Sequence, residues 1–545
     1  MTLPRKDAIV KPVTNYVGGA VAMKKSVIII GGGISGLVCA ALLSGKGNKV
    51  TVLEQHATVG GLAAGFKRKG YYFDSCMERL VSDNNAGYFN QLGIYEKLDF
   101  LPHTAAVNVE GRIFGPHSVE EYFDMCYELF PECKTGLVNF YKDYIKDIVQ
   151  FMEVSAKTAA MTYSGTKLIR QMSKLFLDLL KNGSFRGASL MFKGMSLNLN
   201  TVLSKYVDKD SKLFALLTGG DHFNIFQKGE NPNIMLLAGA LCSMYSLNKA
   251  PRNGFQSLCD EIARKAEADG CDIITGAKVN KILVQNMRAV GVEYIKAGKT
   301  AVIHADEVIN AADLKKAYFN LLPPDCSSKE VLHNISSSQT TNAIPIMYLG
   351  IKIPPERVRE CFGGMKELVY YPKLIANNES FDEKDYYKYA QLILHATCFD
   401  NPGHAPAGCT NIQVYLTCAP NGWHNNWGLS EGKKTDRYTE IKKVVIEDVL
   451  SNIEKVIPDI KNRSLIEICE LGTPYTIERY TGNTGGSHCG FTCDRSNNHI
   501  NTKLGKFHYR HEKISHLYFV GHWTGYMGGV INACWSAVHL AKKLS

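Results

Sequence analysis

Residues 27 to 36 read Val27-Ile28-Ile29-Ile30-Gly31-Gly32-Gly33-Ile34-Ser35-Gly36, and residues 49 to 54 read Lys49-Val50-Thr51-Val52-Leu53-Glu54. The first is an apolar run ending in G-x-G-x-x-G, and the second is an apolar run closed by an acid. Apolar β-branched runs of this kind suit strands buried on both faces of a parallel sheet, and the residues between them suit a helix. Each glycine then has its own task. Gly31 permits the tight turn after the strand, Gly33 lets backbone approach a pyrophosphate, and Gly36 lets helix pack on strand, with the phosphates at the helix N-terminus. Glu54 is placed to take ribose hydroxyls. The unit is therefore α/β and Rossmann-like, built to bind an ADP-containing cofactor.

The segment after Glu54 separates NAD from FAD. It runs His56-Ala57-Thr58-Val59-Gly60-Gly61-Leu62-Ala63-Ala64-Gly65-Phe66, then Lys69-Gly70-Tyr71-Tyr72-Phe73-Asp74-Ser75. A nicotinamide dehydrogenase has no need of a second glycine pair here. A longer cofactor stretched across the domain needs a second place where backbone touches it closely, which favours FAD. The pattern of an acid, a Gly-Gly pair and a Gly-aromatic-x-Phe-Asp stretch resembles the flavoprotein superfamily of amine oxidases, protoporphyrinogen oxidases and phytoene-desaturase-like enzymes.

Three further segments extend the resemblance along the chain. Lys249-Ala250-Pro251-Arg252-Asn253-Gly254, the helix-like Leu258 to Ala268 and Ala277-Lys278-Val279-Asn280-Lys281-Ile282 look like the return into the FAD domain, and the resemblance sets the Val279 backbone against the adenine. His304 to Asp313 resembles a re-entering strand. Leu517-Tyr518-Phe519-Val520-Gly521-His522-Trp523-Thr524 opens the last unit, after which Gly528-Gly529-Val530 starts a helix running to Leu544. The free N–H groups and positive end of that helix can face the electron-rich side of a reduced flavin. The cofactor contacts expected are Gly31, Gly33, Ile34, Ser35, Gly36, Glu54, Gln55, Gly60, Gly61, Leu62, Val279, Gly521, His522, Gly529 and Val530, with His522 beside the ribityl chain.

Within the superfamily, Thr473-Pro474-Tyr475-Thr476-Ile477-Glu478-Arg479-Tyr480-Thr481-Gly482-Asn483-Thr484-Gly485-Gly486-Ser487 is similar to the phytoene desaturase, carotenoid isomerase and retinol saturase group. Ser75-Cys76-Met77-Glu78 stands where that group has Gly-Pro, and Gly525-Tyr526-Met527 where many members carry proline. The resemblance implies FAD-dependent desaturation, saturation or isomerisation of a carbon–carbon bond in an apolar unsaturated lipid such as a carotenoid, retinoid or fatty acid. Electrons then pass to a quinone, oxygen or a second substrate, or return to the same molecule. It also places Glu78 and Glu478 near the flavin as catalytic acid–base candidates, against structural pairing with Arg79 and Arg479. Two alternatives remain in view: a flavin amine oxidase, with Tyr475, Tyr480 and Tyr526 caging a substrate nitrogen, and a non-catalytic lipid or prenyl carrier on the same fold.

The domains expected are interleaved. Residues 1–22 form an N-terminal appendage; 23–85, 250–325 and 510–545 form the FAD-binding domain; 86–249 and 326–509 form an α+β substrate-binding domain with a mixed sheet and a helical subdomain. Apolar spacing from Tyr122 to Tyr245 is mostly helical, whereas residues 340–420 alternate more. Residues 234–247 are too short to span about 30 Å of hydrocarbon and read as a buried helix beside the substrate cavity.

The chain has 545 residues, 45% of them hydrophobic, a globular rather than membrane-spanning content. Its sixteen cysteines are scattered without a C-x-x-C pair, which suggests free thiols in a reducing, cytoplasmic setting. Histidines and cysteines do not cluster in sequence at ligand spacing, so no metal is expected. The net charge of +10 concentrates between Lys167 and Lys181, where Leu168, Met172, Leu175 and Leu179 recur at helical spacing opposite Lys167, Arg170, Lys174 and Lys181. Phe185, Arg186, Met191, Phe192 and Lys193 continue the theme. Such a helix suits either a solvated surface or peripheral contact with a membrane. No module accompanies the charge that would suit nucleic acid.

Overall fold

The computed structural model describes residues 24–76, 80–81, 89–158, 170, 173, 176–178, 180, 185–194, 197–218, 233–246, 248–376, 379, 385–417, 427–430, 433–492, 510–524 and 529–544. Residues 1–22, expected as an appendage, Glu78, most of Lys167 to Lys181 and residues 525–528 lie outside them.

The apolar run Ser26–Ile30 is the central strand of a five-stranded sheet. In order, the strands are Asp272–Ile274, Lys49–Leu53, Ser26–Ile30, Glu307–Asn310 and Leu517–Phe519, all parallel. Ile29 pairs in register with Val52 on one side and Ile309 on the other. Parallel strands need helical crossovers on both faces, and so they read as unbroken apolar runs rather than alternating ones. The helix Ile34–Ser44 shows the same logic, with every residue except Leu42 buried. It is wedged among the sheet, the helix Phe255–Ala268 and the C-terminal helix Val530–Leu544. The outer helix Phe255–Ala268 is amphipathic instead. Phe255, Leu258, Cys259, Ile262 and Ala266 face inward at three-to-four spacing, and Glu261 and Arg264 form an ion pair on the outside. Because all five strands run the same way, the loops after Ile30, Leu53 and Asn310 and the segment after Phe519 gather at one edge. That edge is where open α/β sheets bind ligands.

Beside this sheet, Ala277–Gln285, Arg288–Lys296 and Lys299–His304 form an antiparallel meander. A second large sheet has seven strands in the order Ile466–Gly472, Ile346–Ile351, Thr410–Leu416, Leu392–His395, Glu367–Tyr371, Ala105–Val109 and Arg112–Phe114. Its pairings are antiparallel except that between Glu367–Tyr371 and Ala105–Val109. The helix Asp436–Val456 packs on it through Tyr438, Ile441, Val445, Val449, Ile453 and Val456. Helices Val119–Leu129, Lys134–Phe140, Lys146–Thr158 and Ile234–Tyr245 share a third core.

Two local expectations change. Within the alternating stretch 340–420, the strand Leu392–His395 is preceded by a helical turn, Tyr386–Tyr389, that packs under the helix Asp436–Val456. The helix Ile234–Tyr245 is buried as expected, but it packs in the helical core and contributes no residue to the large cavity wall.

Candidate active site

The gathered loops enclose a cavity of about 1160 Å³ that also reaches the seven-stranded sheet, beyond the range of about 300–1,000 Å³ usual for one small ligand. At its first end the glycine turn leaves Gly33 as the N-cap of Ile34–Ser44, with no side-chain cap and no acid in the first turn. Among the described atoms, nothing lies within 4 Å of where a Gly33 Cβ would sit. The positive helix end is therefore open to an anion. Gly60 folds onto this turn, donating its N–H to the Gly32 carbonyl at 2.9 Å. Glu54 is buried, and its carboxylate accepts from the Gly32 N–H at 2.7 Å and the His56 N–H at 2.9 Å. One bond to each oxygen leaves acceptor capacity toward a diol.

Gly31, Gly33, Ile34, Ser35, Glu54, Gln55, Gly60, Gly61, Leu62, Val279, His522, Gly529, Val530 and Glu478 all line the one cavity. Gly36 and Gly521 stand behind its wall. A Cβ on Gly36 would lie 2.1 Å from the Gly31 carbonyl oxygen, so its bareness serves the packing of helix against turn. Gly521 donates its N–H to Ser536 Oγ at 2.8 Å and joins the last strand to the C-terminal helix. Glu78 lies outside the described residues.

The wall also holds residues that sequence reading passed over. Ala311-Ala312-Asp313 follows the strand Glu307–Asn310, where the crevice rule could have found it. Asp313 caps the turn Leu314–Lys316 and accepts from the Thr484 N–H at 2.6 Å, and burial raises its carboxyl. Lys316 and Glu478 form an ion pair at 3.1 Å, and Glu478 also accepts from the Gly485 N–H. Its partner is Lys316, not the Arg479 weighed from the sequence.

Histidines supply the other missed signal. His488, one residue past the quoted Thr473–Ser487 segment, lines the cavity with His522. The Ile344 N–H donates to His488 Nδ1 at 3.1 Å, which leaves the ring proton on Nε2. The Nε2 atoms of His56, His488 and His522 are buried with no hydrogen-bond partner among the described residues. Burial, and for His488 also the neighbouring His522, pushes both His488 and His522 down to about 4, so they are neutral at physiological pH.

Toward the second sheet the wall includes Phe66, Ile346, Tyr348, Leu471 and Ile477. Phe66 meets Tyr348 edge-on at 5.0 Å, and the Tyr348 hydroxyl donates to the Ser75 carbonyl. Of the tyrosines weighed for an amine cage, the two described ones, Tyr475 and Tyr480, are not brought together. Tyr480 stacks on His56 at 5.6 Å, while Tyr475 packs on Tyr438 and is absent from the wall; Tyr526 lies outside the described residues.

These features fit FAD. An uncapped helix end, a carboxylate with spare acceptor capacity, two glycine segments in contact and orphaned imidazole nitrogens share one cavity. Comparison with known proteins agrees. The model for flavin containing amine oxidoreductases matches residues 34–349. The prolycopene isomerase of Daucus carota is 23% identical over 478 residues, covering 85% of this chain and 71% of that protein. The 1-hydroxycarotenoid 3,4-desaturase of a Flavobacterium is 24% identical over 539 residues, covering 96% of this chain and 99% of that protein. Among solved structures, putrescine oxidase bound to putrescine has the same fold with a TM-score of 0.58 at 13% identity, covering 96% and 99% of the two chains. The chain thus belongs to the family of flavin-containing amine oxidoreductases and is an FAD-dependent enzyme.

Proposed function

We propose that this enzyme acts on a carbon–carbon bond of an apolar unsaturated lipid of the carotenoid or retinoid kind, by desaturation, saturation or isomerisation. The observation that carries this reading is the state of the acids on the cavity wall. Glu54 and Asp313 are taken by backbone N–H groups, Glu470 faces Arg68 at 3.6 Å, and Glu478 is paired with Lys316. Glu54 keeps its spare acceptor capacity for the cofactor's ribose, the other three acids are already engaged, and an amine would enter a wall that also carries Phe66, Ile346, Tyr348 and Leu471. A desolvated cation without a partner is strongly disfavoured. The related isomerase and desaturase, both named for carotenoid substrates, support the same substrate class.

In this reading the segments 23–85, 250–325 and 510–545 hold the cofactor. The N-terminus of Ile34–Ser44 takes the pyrophosphate, Glu54 the ribose and the Val279 backbone the adenine. The start of Val530–Leu544, with Gly529 and His522, faces the flavin end. The chemistry that bound FAD supplies is two-electron exchange with the substrate. The protein's part is to exclude water with the apolar wall, to orient the polyene, and to present neutral imidazole groups that carry no charge into the site. Glu478, about 40% exposed in its side chain and paired, is a weaker acid–base candidate than its position alone suggests. In the desaturation direction the two electrons taken from the substrate would pass onward to a quinone or oxygen. The exposed Phe176, Leu177 and Leu180 lie in the basic segment 167–181 and support peripheral membrane contact; among the described residues no helix is long and apolar enough to cross a membrane.

The test is anaerobic incubation of the flavin-loaded protein with a panel of polyenes, retinoids and amines, followed by absorbance and product mass. Bleaching of oxidised flavin by a polyene with loss of two hydrogens indicates desaturation. Re-oxidation of pre-reduced flavin indicates saturation, and an unchanged mass with altered retention indicates isomerisation. Bleaching by amines alone overturns the reading.

A further inference from the structure

His103, Glu367 and His395 are scattered through the sequence, yet the second sheet brings them to one point. His103 stands two residues before the register partner of Glu367 on the strand Ala105–Val109. Glu367 opens its strand and pairs directly with His395, which closes the next. His103 Nε2 lies 3.0 Å from Glu367 Oε2, and His395 Nδ1 lies 3.8 Å from the same oxygen. One ligand atom from each residue falls within 4.8 Å of the other two. The imidazoles stack at 5.2 Å between centroids. All three side chains are buried, that of Glu367 completely. None of the three is part of the flavin cavity wall.

We propose that His103, Glu367 and His395 form a binding site for a divalent transition-metal ion of the zinc class, joining three strands of the second sheet. Two imidazole nitrogens and a carboxylate oxygen are the donor set that zinc accepts, at bond lengths of about 2.0–2.2 Å. Tetrahedral geometry at those lengths sets ligand atoms roughly 3.3 Å apart. The 3.0 and 3.8 Å separations lie within half an ångström of that value, and the ligand nitrogens of the two imidazoles lie within 4.8 Å of each other. The charge argument points the same way. A buried carboxylate is stabilised in its ionised form by ligating a cation, and the side chain of Glu367 is fully buried. A divalent ion compensates Glu367 directly while each imidazole stays neutral and ligates through one nitrogen. The ion's place also has a mechanical meaning. It clips together the parallel pairing of Ala105–Val109 with Glu367–Tyr371, which closes a loop of more than 250 residues.

The test uses the full-length, flavin-loaded protein. It is stripped with a chelator, equilibrated with zinc chloride, desalted, and its metal content measured by mass spectrometry. About one zinc per chain is expected, with a zinc-dependent rise in melting temperature that chelator reverses. Glu367→Gln and His395→Gln should each retain less than about a tenth of that zinc while keeping the flavin spectrum, and His117→Gln, at an exposed position, should retain all of it. If either site variant fails to fold, cobalt-loaded wild type decides, since a four-coordinate N,N,O site shows intense visible d–d bands. Folded wild type that holds less than about 0.1 zinc per chain overturns the proposal and leaves a buried His–Glu hydrogen bond. Equal zinc in wild type and both site variants overturns it as well, by placing the ion elsewhere.

Discussion

At Gly36 a Cβ would stand 2.1 Å from the Gly31 carbonyl oxygen, whereas at Gly33 it would meet open space. The two glycines of one motif therefore fail differently when substituted. Gly36→Ala must displace helix from turn, and a drop of more than about tenfold in flavin retained after gel filtration, with a lower melting temperature, is expected. Gly33→Ala should leave melting of the flavin-free protein nearly unchanged while weakening FAD by a similar factor, because only the ligand collides with the new methyl group. Equal melting losses in both flavin-free variants would contradict this division. The motif itself was legible in the sequence, since turn, helix and acid lie within about thirty residues. His488 was not legible: a lone histidine after a glycine pair is an ordinary loop residue until Ile344, 144 positions away, donates to its Nδ1.

Among the elements, the pair Ile34–Ser44 and Val530–Leu544 carries the most extensive helix–helix contact beside the parallel sheet, with Ala40, Cys534 and Ala537 fully buried at small-residue positions. Ala537→Leu adds volume where there is none, and a loss of roughly 1–3 kcal/mol in unfolding free energy is expected from a urea titration. Since the start of Val530–Leu544 borders the cavity, flavin release should accompany it. At the basic segment the prediction concerns association. Changing Lys167, Arg170, Lys174 and Lys181 to Glu should abolish co-sedimentation with anionic vesicles, as about 1 kcal/mol per basic residue near such a surface implies; unchanged sedimentation removes this segment from the account. Elements with strong periodicity, such as Phe255–Ala268, were readable in advance. The boundary at Leu392 was not, because one helical turn beneath the helix Asp436–Val456 overrides local alternation.

For the whole molecule, pH dependence tests the balance of buried groups. His404, His488, His511 and His522 are each pushed down to about 4, by burial above all. Unfolded, they take up protons below about 6.5. Between these values the unfolded chain binds more protons, so these four contribute stability that rises with pH across that window. Asp74, raised by burial to about 7, works in the opposite sense, as do Asp313 and Asp448 with their raised carboxyls. Because the four histidines outweigh these acids, the urea midpoint should be lower at pH 5 than at pH 7.5; a higher midpoint would show that the acids dominate. The sequence alone settled the kind of cofactor and the presence of a parallel sheet, because a strand, a glycine turn, a helix and an acid interact within one short stretch. It also carried the outline of the family through separated segments whose residues line one cavity. The cavity wall depended on tertiary structure: which acids are already satisfied, which imidazoles are left over, and which face of a second sheet meets the first. The meeting of His103, Glu367 and His395 depended on it too. Those relations are set by strand register and by burial across hundreds of residues, and a side chain's charge state and free valence exist only once its neighbours are in place.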